Sequence, residues 1–294
     1  MGNIIWLASY PKSGNTWLRI FLANYIANSE QPIPINNLGF GWMAALRDEF
    51  DEEVGIASAH LTPAEIDFYR PAYHERLSAQ LEKPTFIKVH DAYTHNCVGQ
   101  PLFPATATAG VIYLVRNPLD VAVSYAHHCA WSIKRTIREM NREQSTLARN
   151  EALLTGLLHQ RLLTWSGHVR SWTEQTELPL HVVRYEDMVQ TPIETFTKII
   201  NFAQLPFATE CLQRALAFSR FDKLQEQEKA HGFLEKEPVS ASFFRRGEIN
   251  TWRTELTTAE VKLIISHHKT MMERFGYGEG HDARHLSLIQ PTST

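Results

Sequence analysis

Cysteine is scarce in this chain. Its 294 residues hold three, Cys97, Cys129 and Cys211, too far apart and outside any CxxC spacing to staple a small fold or hold a structural zinc. That usage fits a reduced, cytoplasmic setting. Long apolar runs are missing as well: none approaches the roughly 18 residues of a membrane-spanning helix, and no basic region with a cleavable apolar stretch opens the chain. Nor is there an excess of positive charge. With 29 Lys and Arg against 32 Asp and Glu, the net charge of −3 argues against a nucleic-acid-binding face, so any anion site has to be local. No run of Pro, Gly or Ser divides the chain and no segment repeats, so the 44% of hydrophobic residues are read as the core of one domain, residues 1–278, with a disordered tail at 279–294. There are 14 histidines but no cluster with metal-ligand spacing, and no metal is expected. Also absent is the phosphate loop GxxxxGK followed by Ser or Thr.

What is present lies near the start, in IIWLASYPKSGNTWLRIFLANYIAN. The apolar run Ile4 to Ala8 stops at Ser9-Tyr10-Pro11, and helical spacing follows through Trp17, Leu18, Phe21, Leu22, Tyr25 and Ile26. Between strand and helix sit Lys12, Ser13, Gly14, Asn15 and Thr16: a cation, hydroxyls, a residue free to take φ > 0, and the unpaired N–H groups of a new helix. Such a turn holds an anion, because the N–H groups and the helix dipole point at it while Lys12 supplies full charge.

The same design recurs. Val111 to Val115 is a nearly continuous apolar run, as in a parallel strand covered on both faces. Arg116 ends it, Asn117 caps and Pro118 opens a helix that carries Ser124. Between these units, Thr85 to His90 alternates with a period of two, placing Phe86, Lys88 and His90 on one face and Ile87 and Val89 on the other. A fourth strand, Val182-Val183-Arg184, ends at Tyr185. Thr62, Thr191 and Thr257 each stand three residues before a Glu as capping boxes. The first of these helices is expected to break before Pro71, and 133–175 to be mostly helical, with Leu153, Leu154, Leu157, Leu158, Leu162, Leu163 and Trp165 as its stripe. Residues 31–53 read as loop or lid, and 222–242 as a charged flap. Strands alternating with helices imply an α/β fold with a central, mainly parallel sheet. Its ligands sit at the carboxyl ends of the strands, where Lys12, His90, Arg116 and Tyr185 converge.

Together these residues resemble the cytosolic-type sulfotransferases, which use 3′-phosphoadenosine 5′-phosphosulfate (PAPS). The likeness runs from about Ile4 to Tyr277. Tyr10 to Trp17 is similar to the family's 5′-phosphosulfate loop, Arg116 through Ser124 to its 3′-phosphate segment, and Lys88-Val89-His90 to its Lys-x-His, whose His is the catalytic base. Arg245-Arg246-Gly247 resembles the late Arg-Lys-Gly, with Arg246 in place of Lys. By the same resemblance Trp17, Tyr185 and Phe221 surround adenine, with Ser219 nearby. The family's late dimer motif survives only as Arg253, Thr257, Thr258 and Lys262, so a homodimer of that mode is in doubt. Asp91 stands where animal members have Leu-Pro, so the acceptor side differs.

The resemblance implies that His90 takes the acceptor's proton while Lys12 and Lys88 stabilise charge on the leaving phosphate and the sulfuryl oxygens. The acceptor is expected to be a small hydroxylated or aminated molecule, held by 31–53, 93–103, 127–142 and 222–242. Two other classes fit parts of the pattern. A nucleotide kinase or NTPase would need the missing phosphate loop and an acidic Mg²⁺ ligand. A non-catalytic nucleotide-binding module leaves Lys88 and His90 without a task.

Overall fold

The computed structural model describes residues 2–148 and 154–278. The first apolar run is β1 (Ile4–Ser9), followed by α1 (Asn15–Ala27), α2 (Arg47–Val54) and α3 (Pro63–Gln80). Then come β2 (Thr85–Val89), β3 (Thr108–Val115), α4 (Pro118–Cys129) and α5 (Ile133–Met140). A short ribbon of β4 (Thr146–Leu147) and β5 (Gln160–Arg161) precedes α6 (Trp165–Thr173), β6 (Leu180–Arg184) and α7 (Tyr185–Gln190). The chain closes with α8 (Pro192–Phe202), α9 (Thr209–Phe218), α10 (Phe221–His231), α11 (Trp252–Glu255) and α12 (Thr258–Arg274).

Four strands form one parallel sheet in the order β2-β1-β3-β6. Their carboxyl ends come level, with Ala8 beside Val89, Ser9 beside Leu114 and Val115 beside Arg184. The period of two sorts side chains to the two faces. Ile4, Trp6, Ala8, Ile87, Val89, Val111 and Tyr113 join one apolar cluster with α4, α5, α6 and α12. Ile5, Leu7, Phe86, Ile112, Leu114 and Val183 join the other, with Phe21 of α1, Phe196 of α8 and Leu212 of α9. Both faces are thus covered, which is why the central strands need no polar residues.

The strand order places the site. From β1 the chain crosses to β2 on one side, and from β3 it crosses to β6 on the other. The connections leaving β1 and β3 therefore diverge and open a crevice at their carboxyl ends, where open α/β sheets bind ligands. Those connections begin with Lys12 and Arg116.

Several local expectations are corrected. Helix α3 runs unbroken through Pro71. Proline removes one backbone hydrogen bond, but Asp67, Arg70, Tyr73 and His74 around it are all buried, and that packing carries the helix across. Residues 133–175 are not one helical region, because the β4–β5 ribbon interrupts them. Of the leucine stripe, Leu158, Leu162 and Trp165 are buried, Leu154 is exposed, and Leu163 turns the chain at φ 59°. Leu153 lies outside the described residues. Leucine spacing alone does not separate a buried extended segment from a helix. The capping boxes at Thr62 and Thr257 form, but the Thr191 hydroxyl is committed to the Asp187 carbonyl, 3.2 Å away, where α7 ends. Residues 31–53 contain all of α2 but its last residue, and the first part of 222–242, up to His231, is the helix α10. The expected tail at 279–294 lies outside the described residues.

Candidate active site

The turn after β1 is built from inside. Asn15 donates its amide to the Leu7 carbonyl (2.7 Å) and to Ser9 Oγ (3.2 Å), so its side chain ties the turn to the strand. Gly14 takes φ 101°, and a Cβ there would stand 2.6 Å from the Tyr185 ring. Glycine is required twice over, by conformation and by space. Lys12 takes φ 68°, an uncommon cost for a residue with a side chain. No side chain caps α1, which leaves its first N–H groups for an anion. Gly14, Asn15, Thr16 and Trp17 line a cleft of about 1110 Å³. Ser13 is buried beside them with a hydroxyl that has no partner among the described residues, as is the indole N–H of Trp17.

Arg116 joins the two cradles. Its guanidinium donates to the Lys12 carbonyl (3.1 Å) and to the Glu248 carbonyl (3.0 Å) and lies 4.1 Å over the Tyr185 ring. Asn117 caps α4, accepting from Leu119 N, and Ser124 faces the cleft from that helix. Asp120, on the same helix, accepts from Asn250 N (2.8 Å) and Thr251 Oγ1 (2.9 Å) and so anchors the segment that carries Arg245, Arg246 and Gly247. Those three residues line the cleft with Tyr185 and Phe221. A Cβ on Gly247, at φ 68°, would stand 2.3 Å from the Phe221 ring, so this glycine allows the ring to lie flat against the backbone. Arg245 and Arg246 both reach Glu255, at 2.8 and 3.3 Å, as does His127 at 2.8 Å. Ser219 is set apart. It is fully buried at the end of α9, with its hydroxyl donated to the Ala215 carbonyl (2.7 Å).

At the end of β2, Lys88 and His90 face the same cleft. His90 Nδ1 lies 2.8 Å from the Ser9 carbonyl. A carbonyl can only accept, so Nδ1 carries the proton and Nε2 keeps its lone pair. Burial first, then the charge of Lys88, pushes the His90 pKa well below its usual value, against the bond to Ser9. The imidazole is therefore neutral around pH 7. Burial, with Lys88 and Arg116 nearby, also lowers Lys12 to about 7. Its ammonium sits 4.0 Å over the Phe243 ring.

Two groups escaped the sequence reading. Arg19 and Lys88 grip one carboxylate, Glu235: Arg19 at 2.6 and 3.0 Å, Lys88 at 2.9 Å. Burial alone would raise Glu235, but the two cations outweigh it and hold it well below the usual carboxylate range. A lone charge inside the apolar stripe of α1 was the available signal for Arg19. Nothing local marked Glu235, which reaches Lys88 across 147 positions of the chain.

The opposite wall is mainly apolar. Of the four stretches expected there, 31–53 supplies Trp42, Met43 and Leu46, 127–142 supplies His128 and Cys129, and 222–242 supplies Leu234 and Pro238 with the charged Glu235, Lys236 and Glu237 between them. The stretch 93–103 does not reach it: Tyr93, Leu102 and Phe103 are core residues. Its place is taken by the β4–β5 ribbon, through Leu147, Leu157 and Gln160. His128 is kept neutral, lowered to about 3 by burial and then by Lys12 and Lys88.

The family model of the sulfotransferase domain matches residues 3–276. The chain belongs to the sulfotransferase family. Among its relatives are the flavonol 3-sulfotransferase of Flaveria bidentis, 24% identical over 278 residues, covering 89% of this chain and 79% of that one, and cytosolic sulfotransferase 1 of Arabidopsis thaliana, 25% identical over 263 residues, covering 85% and 73%. Among solved structures, a mouse sulfotransferase complexed with PAP aligns with a TM-score of 0.58 at 18% identity, over 92% of this chain and 84% of that one. Retinol dehydratase in complex with androsterone and PAP aligns at 0.62 and 17% identity, over 96% and 82%. These structures share the fold of this sulfotransferase. Among its described residues no helix is long and apolar enough to cross a membrane, and no group of three or more His, Cys, Asp or Glu is placed to hold a metal.

Proposed function

We propose that this sulfotransferase binds PAPS across the two cradles and that His90 draws a proton from a small hydroxylated or aminated acceptor, with adenosine 3′,5′-bisphosphate as the second product. The observation that carries the reading is the meeting of Lys12, Lys88, Arg116 and a neutral His90 in one cleft at the switch point of the sheet, with an apolar wall facing them. PAPS supplies the sulfuryl group. The turn 12–17, with the unpaired Ser13 hydroxyl, fits its phosphosulfate end. Arg116, Ser124, Arg245, Arg246 and Gly247 fit the 3′-phosphate. Trp17, Tyr185 and Phe221 offer aromatic faces to the adenine, and Ser219 contributes from behind as the helix end on which Phe221 is mounted.

Each catalytic role follows from the local physics. His90 is a base because Nδ1 is tied to Ser9 and Nε2 is free to accept. Lys88, and Lys12 once a bound anion raises its pKa, carry positive charge in a largely buried site, where they stabilise developing negative charge more than they would in bulk solvent. The same charges make a divalent metal unnecessary for charge compensation, so transfer should persist in EDTA. The sulfotransferase domain takes in residues 1–278, and the setting we assign it is the cytoplasm, in keeping with three free thiols. Calorimetry tests the nucleotide reading: adenosine 3′,5′-bisphosphate should bind far more tightly than AMP or ATP, and equal affinity for AMP would remove the second cradle. Transfer from labelled PAPS to a panel of alcohols, phenols and amines tests the reaction.

A further inference from the structure

Gln160 is fully buried in β5 and lines the acceptor side of the cleft, yet neither its amide oxygen nor its amide nitrogen has a partner among the described residues. A primary amide has two donors and an acceptor oxygen, and burying them unmatched is costly. Its backbone is fixed on both sides, so the amide cannot leave its place in the wall. Gln160 pairs with Leu147 across the ribbon. The next residue, Arg161, donates its N–H to Asp91 Oδ1 (3.0 Å) and accepts from Ala92 N (2.7 Å). Asp91 is itself gripped by Arg70 at 2.8 and 2.9 Å, and it directly follows His90. The unmatched amide is thus mounted on a rigid support tied to the residues beside the base. The cleft that it lines is also lined by the apolar Trp42, Met43, Leu46, Leu147 and Leu157, Leu147 being its neighbour across the ribbon.

We propose that Gln160 selects the acceptor: an otherwise apolar molecule that carries, close to the group to be sulfated, a second neutral hydroxyl, carbonyl or amide that pairs with the Gln160 amide. This rests on the sulfotransferase reading above. An apolar pocket discriminates weakly between acceptors of similar size, whereas a buried group that is left unpaired rejects the analogue lacking its partner. Gln160 is therefore the specificity-determining polar residue of an apolar subsite.

The test uses 1-octanol and 1,2-octanediol, which differ by one vicinal hydroxyl. Their binding to the full chain saturated with adenosine 3′,5′-bisphosphate is measured by calorimetry for the wild type, Gln160→Leu and Gln160→Met. The wild type should prefer the diol by about tenfold or more, the effect of one buried hydrogen bond. Both variants should bind the two alcohols equally, with bisphosphate affinity unchanged as the check on folding. Methionine keeps the length of the side chain should leucine disturb the ribbon. A preference that survives in the variants, or a wild type without preference for the diol, overturns the assignment. Because discrimination is read as binding, a lack of transfer from labelled PAPS counts against the catalytic reading alone.

Discussion

The two halves of the cleft are built on different principles. The half that faces the nucleotide is made of turns between a strand and a helix, and its working groups are cations and backbone N–H donors held by short-range geometry, as with Asn15 on Leu7 and Ser9. The half that faces the acceptor is made of stretches distant in sequence, with Trp42, Met43 and Leu46, Leu147 and Leu157 of the segment around the β4–β5 ribbon, and Leu234 and Pro238, and the surface these residues offer is hydrocarbon and aromatic. Anion recognition demands particular atoms at fixed angles, so few sequences satisfy it. Apolar recognition demands volume and exclusion of water, which many residues supply.

His90 stands on the border, and His90→Ala should separate the halves most sharply. With an alcohol acceptor, single-turnover rates should fall by about 10²- to 10⁴-fold while bisphosphate affinity changes little. A fully active variant would mean that another group is the base. Asp91→Ala breaks the support of the acceptor half, leaving the buried Arg70 guanidinium without its main partner. Loss of one member of a buried pair costs about 3–5 kcal/mol, to be read as a lowered denaturation midpoint; a shift below 1 kcal/mol would show that Asp67, 3.6 Å from Arg70, suffices.

On the nucleotide side, Glu235 competes with any anionic ligand for Arg19 and Lys88. Glu235→Gln should therefore tighten bisphosphate binding by about tenfold, and weaker binding would show instead that the carboxylate organises the two cations. The smallest of these effects is one of pH. Lys12 titrates near 7, and a bound anion raises that value, so binding at pH 8 should take up protons and affinity should fall as pH rises above about 7. The fall cannot exceed about tenfold per pH unit for one proton. Calorimetry in buffers of different ionisation enthalpy measures the uptake, which Lys12→Met should abolish.

The same contrast sets what was legible in the sequence. β1 and β3 stood out because strands covered on both faces are short apolar runs, β2 through its period of two and β6 as a short β-branched run, and the two cradles stood out because their chemistry is contiguous: Lys12 to Trp17, Arg116 to Ser124. Lys88 and His90 were linked by strand alternation and by the likeness to the family's Lys-x-His, and the structure keeps both on the cleft. The acceptor wall was misplaced because its ribbon is rich in leucine, and leucine spacing imitates a helix. Gln160 carries no local sign of its unmatched amide, which exists only once Leu147 and Asp91 have closed around it. Glu235 and Arg19 are separated by 216 positions, and no short-range pattern joins them.

Lys12 holds a left-handed backbone, φ 68°, in a place where glycine would rest at ease. Relaxing such a conformation is worth about 1 kcal/mol. Lys12→Gly should then melt at a higher temperature than the parent while gripping the nucleotide less well. At this position durability and catalysis pull in opposite directions, and the side chain present is the one that sacrifices durability.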